Sequence, residues 1–466
     1  MQKRKGLFVI CIGIFLGSLL LERLGEVKAS DIELTLAKAI YFVSFLPLLI
    51  YFWRSEKNIP YLATFGILYF IFFGLPIFNN YDLFMKEYLS PEVIIKCLKL
   101  VLGGFIFLML AFYTPLGKIV NLINIPIIKM PWDYRKAYRI GIFLGLLGIG
   151  VQLFNVGKFA PVAFASLVSF IQTLSRLGIV VLFILQCQHK LKFRGKFFLW
   201  VVLFIPKVLL DLTQGASFLI ILDFMMILFI YFYYYRSIPW LRIIVISLIF
   251  FVIFSARDRY RSLVWFDGPY ANANSLEKAV LYVRLIYERL SGEQEAHKEV
   301  YEKISQRTNS LVTFAKIVEL TPQYIPYWEG YTYKTLVTSL IPRFILPDKP
   351  MKKLGQEFGH RYMLLHPEDT TTSYNLPMTI EMYINFGPLG VMLGMFILGL
   401  IFRIFYNLFN HPETGEGGLV IAVMIFLNLL DIESDFSLIF GAVLQYTLIF
   451  YIITKRMKPA IERPKS

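Results

Sequence analysis

Long apolar runs alternate with short polar connections along most of this chain, and the alternation is broken once. Runs such as GLFVICIGIFLGSLLL from Gly6, YLATFGILYFIFFGLPIF from Tyr61, VLGGFIFLMLAFY from Val101 and IIVISLIFFVIFSA from Ile243 approach or reach the length that crosses a hydrocarbon core. The break is a polar insertion between Arg257 and Tyr374. Hydropathy predicts about twelve spans, near residues 6–22, 36–53, 61–78, 95–113, 138–156, 162–186, 197–213, 215–234, 238–255, 378–407, 417–433 and 437–454. The chain is thus expected to be an all-α integral membrane protein in three parts: spans over 1–255, a large loop over 256–376, and spans over 377–466. The first run is followed by Glu22 and Arg23 without a small-residue cleavage pattern, so it is expected to be a permanent span.

The charges give the expected orientation. Lys3, Arg4 and Lys5, Arg54 and Lys57, the stretch from Lys118 to Arg139, Lys190 to Lys196, Arg236 and Arg242, and the tail from Lys455 all fall on one side of that arrangement. Short loops on the other side are poor in Lys and Arg, and the turn from Asp431 to Phe436 is acidic. The positive-inside rule then places both termini in the cytoplasm and the large loop outside the plasma membrane. Composition agrees with a membrane protein: 57% hydrophobic and 17% charged residues, with a mean hydropathy of +0.61. The net charge of +15 is read as this orientation signal and not as affinity for nucleic acid. Cys11, Cys97 and Cys187 show no C-x-x-C spacing, and no G-x-x-x-x-G-K-[ST] occurs. Neither a disulfide framework, a metal site, a cofactor nor a built-in ATPase is expected.

Within the loop, Ser275 is placed to cap a helix carrying Leu276, Val280, Val283, Tyr287 and Leu290 at helical spacing, with Arg284 facing Glu288. A second amphipathic stretch runs from Glu299 to Glu319 and ends at Thr321-Pro322. Arg307 falls beside its apolar side, which calls for a partner, a ligand or a route to the rim. Beyond it, Tyr324, Tyr327, Trp328, Tyr331 and Tyr333 offer flat faces with polar tips, suited both to sugar rings and to a membrane interface. Arg257, Arg259 and Arg261 alternate at the loop's start: a strand would put all three on one face, a helix only Arg257 with Arg261, and snorkelling from the ninth span would also account for them. Lys207 and Asp211 are placed to pair at i,i+4 or to line a cavity.

From Arg307 onward the chain reads R-T-N-S-L, then T-P with G-Y-T-Y behind it, then I-P-R-F-I-L-P-D-K-P from Ile341, then E-M-Y-I-N-F-G-P-L-G from Glu381. This order resembles the Wzy-type oligosaccharide repeat-unit polymerases of bacterial surface polysaccharide synthesis, over roughly Arg307 to Gly390. The resemblance implies a GT-C-like membrane glycosyltransferase. It would move a glycan from one undecaprenyl pyrophosphate onto a second lipid-linked repeat unit on the outer face of the membrane. It also implies the bilayer, a chain-length regulator and a flippase of the same pathway as partners. The reaction needs cations for the pyrophosphate, drawn from Arg257, Arg259, Arg261, Arg307, Arg343, Lys349 and Arg361. Pro342 and Pro347 bracket Arg343 and restrict its backbone. Glu381 is the expected general base at the start of the tenth span, beside Asn385, with His360 and His366 as alternatives. Tyr327, Trp328 and Tyr331 would face the glycan. The loop T-Q-G-A-S after Leu212 departs from the pattern, for it holds Gln214 and no Arg. A ligase using the same donor and a polysaccharide flippase are the alternative functions.

Overall fold

A computed structural model describes residues 11–18, 20–21, 29–54, 56, 58–78, 89–114, 128–161, 164–215, 217–237, 239–265, 268–290, 310–334, 336 and 354–459. Helices account for nearly all of it, and no strand occurs among the described residues. In chain order they are α1 (Asp31–Arg54), α2 (Tyr61–Phe73), α3 (Pro91–Tyr113), α4 (Tyr134–Leu153), α5 (Ala165–Cys187), α6 (Phe193–Phe197), α7 (Ile205–Thr213) and α8 (Ser217–Tyr235). Then follow α9 (Trp240–Ser255), α10 (Arg257–Val264), α11 (Ser275–Leu290), α12 (Ser310–Leu320), α13 (Leu354–Arg361), α14 (Met378–Phe409), α15 (Gly415–Leu429) and α16 (Phe436–Arg456). A π-helical segment, Phe198–Phe204, separates α6 from α7.

The expected span count requires correction. Among the described residues seven helices are long and apolar enough to cross a membrane: α1, α3, α4, α5, α8, α14 and α16. Counting α9 with α10, which meet at a 44° bend, makes eight. The chain is therefore a multi-pass membrane protein with seven or eight apolar spans among its described residues and not about twelve, and the GT-C-like architecture tied to that count falls with it. The physical cause is that hydropathy cannot separate a lipid-facing span from a short helix buried in protein. At 1.5 Å per residue, α2 with 13 residues extends only about 20 Å, against a core of about 30 Å. Likewise α15, with 15 residues, is buried along nearly its whole length, from Gly417 to Leu429, against α5, α8, α14 and α16. The stretch expected to span at 197–213 is divided among α6, the π segment and α7. Of the expected first span, only 11–18 and 20–21 are described.

Local signals explain where the helices begin. Ser90 accepts a hydrogen bond from the Val93 amide at 3.4 Å, and Pro91 occupies the first turn of α3. Asp133 accepts from the Arg135 and Lys136 amides at 2.8 and 3.1 Å, starting α4. Asp435 accepts from the Leu438 amide at 2.9 Å, starting α16. Here α4 packs antiparallel to α5, with Gly141 against Leu182 and Gly148 against Ser175, whereas α3 and α14 run parallel, with Gly104 against Val391 and Gly399 against Leu108, and α1 packs on α2 and α3. The basic connections gather at one end: Asp133 N–H donates to Met457 O, Lys190 lies over the Tyr134 ring, Gln188 reaches Glu416, and Arg236 donates to the Tyr51 hydroxyl. At the opposite end α10 and α11 form a small core of their own with α7 and α8, built on Leu212, Ile220, Tyr260, Leu281, Tyr282 and Leu285. Also at that end, α12 returns into the bundle with Phe314 fully buried against Phe73 and Tyr383.

Candidate functional site

Four ionisable side chains meet inside the bundle. Arg176 of α5 donates from Nε to Asp223 Oδ1 of α8 at 2.7 Å and from Nη2 to Asp211 Oδ2 of α7. Lys207, one turn before Asp211 on α7, donates to Asp211 Oδ1 and, at 3.2 Å, to Gln152 Oε1 of α4. Gln152 Nε2 closes the group with a 2.8 Å bond to Asp211 Oδ1. Lys207, Asp211 and Asp223 are at most 2% exposed. Two cations balance two carboxylates, so the group carries no net charge into the bundle, the arrangement in which buried charges are tolerated. Asp223 Oδ2 is buried with no hydrogen-bond partner among the described residues. The i,i+4 pairing of Lys207 with Asp211 was legible in the sequence. The contributions of Gln152, Arg176 and Asp223 were missed, although an ionisable residue inside an apolar run is itself the signal that finds such a site.

Directly beyond this group, α10 covers the end of α7. A helix must leave its last carbonyls without intrahelical partners, and α10 with Trp265 just after it supplies donors to three consecutive carbonyls at and beyond this end. The Tyr260 hydroxyl donates to Thr213 O at 2.6 Å, Trp265 Nε1 to Gln214 O at 3.2 Å, and Arg261 Nε to Gly215 O at 2.8 Å. The guanidinium of Arg261 lies over the Trp265 ring, 4.2 Å from its centroid. Because 257–264 is a helix, the three arginines do not share a face. Arg257 is buried, binds Asp258 through Nε and Nη2 at 2.9 and 2.8 Å, and stacks on Phe254. Arg259 points the other way and pairs with Glu288 of α11 at 3.3 Å. Arg261 is thus the arginine that meets the T-Q-G-A-S turn, which has none of its own.

The aromatic stretch packs on the first turns of α14. Trp328 N–H donates to Ile384 O at 2.8 Å, its ring is buried, and Arg361 stacks over it at 4.9 Å while donating to Pro326 O at 2.9 Å. Tyr331 stays exposed beside Trp328, with ring centroids 5.5 Å apart. The negative charge of Glu357 and burial together raise the Tyr331 phenol above its ordinary range. Tyr327 lies against Tyr383 and the backbone of Gly387, where α14 kinks: Gly387 has φ +64° and is followed by Pro388. His360 shares a 2.9 Å hydrogen bond with Asp369 O in the neighbouring turn.

Glu381 is fully buried, and its Oε2 accepts from the Phe436 amide at 2.6 Å, where α16 begins. A carboxylate at a helix N-terminus is favoured by the unsatisfied amides and the helix dipole. Asn385, one turn later, donates to Thr332 Oγ1 and to Glu381 O, each at 2.8 Å. The pair therefore ties α14 both to α16 and to the 331–334 turn. Asp431, in the connection from α15 to α16, has its carboxyl pushed up by burial, opposed by a 2.6 Å bond from Ser434 Oγ. Arg307, Arg343 and Lys349 lie outside the described residues. Among the described residues no group of three His, Cys, Asp or Glu is placed to hold a metal ion.

Residues 119–459 match a family described as a domain of unknown function (DUF8712). That stretch contains both polar groups, from Gln152 to Asp435. No curated protein matches the chain, and no solved structure matches it.

Proposed function

Because the chain belongs to the DUF8712 family, we propose its activity from its own residues: a membrane glycosyltransferase that joins undecaprenyl-pyrophosphate-linked oligosaccharide repeat units. The observation that supports this reading is the docking of α10 on the last turn of α7. It brings the stacked guanidinium of Arg261 within 2.8 Å of Gly215 O, at the end of the bundle opposite the basic connections. The positive-inside rule makes that end the outer face of the plasma membrane. A forked cation held beside an aromatic face suits the pyrophosphate of a lipid-linked sugar. In the reaction the acceptor hydroxyl attacks the anomeric carbon of the donor, the bond to pyrophosphate breaks, and the lipid pyrophosphate leaves with the electron pair. Arg261 offsets the charge developing there, with Arg307, Arg343 and Lys349 assigned the same work by the resemblance. Glu381 is assigned the hydroxyl proton. Its bond to the Phe436 amide gives it a structural role as well.

Purified protein in detergent, given only undecaprenyl-pyrophosphate-linked repeat units, should make longer lipid-linked glycans without ATP or an ion gradient. Loss of one charge-assisted contact is worth about 1.5–3 kcal/mol, so Arg261→Ala should slow elongation about 10- to 100-fold, with Arg261→Lys in between. Glu381→Gln should leave lipid binding intact and stop turnover. Full elongation by Arg261→Ala would remove that residue from the site. Absence of elongation by the parent protein would remove the transferase reading.

The intramembrane group of Arg176, Lys207, Asp211 and Asp223 favours a second reading, a transporter of lipid-linked oligosaccharide, because ionisable residues inside a bundle often mark a translocation path. Lipid-linked units that cross a vesicle membrane without growing longer would select it.

A further inference from the structure

Along α8, from Ile221 near its start to Tyr235 at its end, the helices α5, α8 and α9 and the π segment line an apolar cavity of about 660 Å³. Phe224 and Phe250 line it toward the end that carries α10, and Cys187, Tyr235 and Arg242 line it at the basic end. That basic end lies where α5 and α8 finish and α9 begins. The guanidinium of Arg242 is held over the Tyr231 ring, 5.3 Å from its centroid. Among the described residues no carboxylate lines the cavity, and none pairs with Arg242. The volume falls in the range of sites that enclose a small amphiphile.

An aliphatic chain alone would leave the cation at the basic end unmatched, and a free phosphate would leave the aromatic wall bare. A ligand with both parts matches both. We infer that this cavity is a binding site for an anionic phospholipid of the adjoining leaflet, with one acyl chain between α5, α8 and α9 and its phosphate on Arg242. The site is independent of the proposed transferase chemistry, for Arg242 lies at the other end of the bundle and the lining uses none of the same residues. Its specificity is expected from the headgroup, since the apolar wall accepts any acyl chain while a cation at the membrane surface favours anionic lipid.

Trp200 lines the cavity and is fixed there by a 3.0 Å hydrogen bond from its indole N–H to Gln186 Oε1, so it can report occupancy. The full-length protein is reconstituted into vesicles containing bromine-labelled acyl chains on either phosphatidylglycerol or phosphatidylcholine. The Trp200 contribution is taken as the emission lost in Trp200→Phe. A single surface cation contributes about a fivefold preference, so this contribution should be quenched at about fivefold lower content of the brominated anionic lipid. Arg242→Gln should abolish the preference, Arg242→Lys should keep part of it, and Ser247→Phe, which narrows the cavity, should reduce quenching by both lipids. Equal quenching by the two lipids in the parent protein would overturn the inference, as would a preference that survives Arg242→Gln. Relief of quenching by added inorganic phosphate would also overturn it, by showing that the phosphate alone is bound.

Discussion

Replacing Arg176 by Met tests whether the intramembrane charges act as one balanced unit. The guanidinium makes a hydrogen bond to each of two carboxylates, Asp223 at 2.7 Å and Asp211, besides a longer one of 3.5 Å to Leu219 O. At about 1.5–3 kcal/mol each, their loss amounts to about 3–6 kcal/mol, and breaking a buried ion pair by removing one partner typically costs about 3–5 kcal/mol. The arginine side chain is itself 11% exposed, which admits some screening and favours the lower part of that range. The expected cost is therefore about 3–4 kcal/mol. Adding Asp223→Asn to Arg176→Met restores neutrality, because Lys207 and Asp211 then remain as a pair. The double variant should be more stable than Arg176→Met alone, with a coupling of about 2 kcal/mol, whereas independent sites would show additive losses. The assay is reversible unfolding in mixed micelles by steric trapping, applied to the parent, both single variants and the double variant. Additive losses, or a cost below about 1 kcal/mol for Arg176→Met, would refute the balanced unit and leave the contacts as separable hydrogen bonds.

At the kink in α14, a Cβ on Gly387 would lie 2.6 Å from Tyr327 Oη at a φ of +64°, so Gly387→Ala should cost about 1–3 kcal/mol. Adding Tyr327→Phe should recover the steric part, measured by the same unfolding assay; an unaffected Gly387→Ala would contradict the packing. The raised carboxyl of Asp431 implies that its folded pKa lies above its unfolded one. Its protonated form is then favoured in the fold, and that relative stability is fully present at pH values below the unfolded pKa and is lost as pH rises to the folded pKa. Asp431→Asn should flatten this part of the stability profile and raise stability at neutral pH, and a profile parallel to that of the parent would dismiss burial as the cause. Single cysteines introduced at Gln294 and at Lys190 in a cysteine-free background should react with an impermeant thiol reagent from opposite sides of the membrane, Gln294→Cys from outside. Labelling of both from the same side would reverse the orientation argument.

The apolar segments were legible in the sequence, but their relation to lipid was not. A run such as Gly415–Leu429 is apolar because protein surrounds it, and a run such as Phe436–Arg456 because lipid touches one side of it, with Leu438, Leu448 and Ile452 exposed. Hydropathy scores both alike. The helix from Ser275 shows the same limit in detail. Its period and its Arg284–Glu288 pair, at 3.1 Å, follow from the sequence, yet Leu276, Val280, Val283 and Tyr287 face outward while Leu281, Tyr282 and Leu285 enter the core. Both faces carry apolar groups, as suits a helix at a membrane interface, so periodicity alone could not choose the inward one.

Sites were legible only as far as their partners were local. Lys207 and Asp211 could be paired because one helical turn separates them. Nothing in the sequence joins Arg176 to Asp223, 47 residues away, since each stands alone in its own apolar run and only the packing of α5 beside α8 brings them together. The three loop arginines show the reverse case, in which residues close in sequence part company in space. As a helix, α10 sends Arg257 inward, Arg259 to Glu288 and Arg261 to the end of α7. A group of like charges thus resolves into one pair between a buried arginine and an exposed carboxylate, one surface pair, and one guanidinium bound to the turn after Thr213. That division explains why the test of transfer belongs on Arg261: Arg257→Ala would disturb the packing on Phe254 along with its charge, and Arg259→Ala would remove a contact to α11 alone.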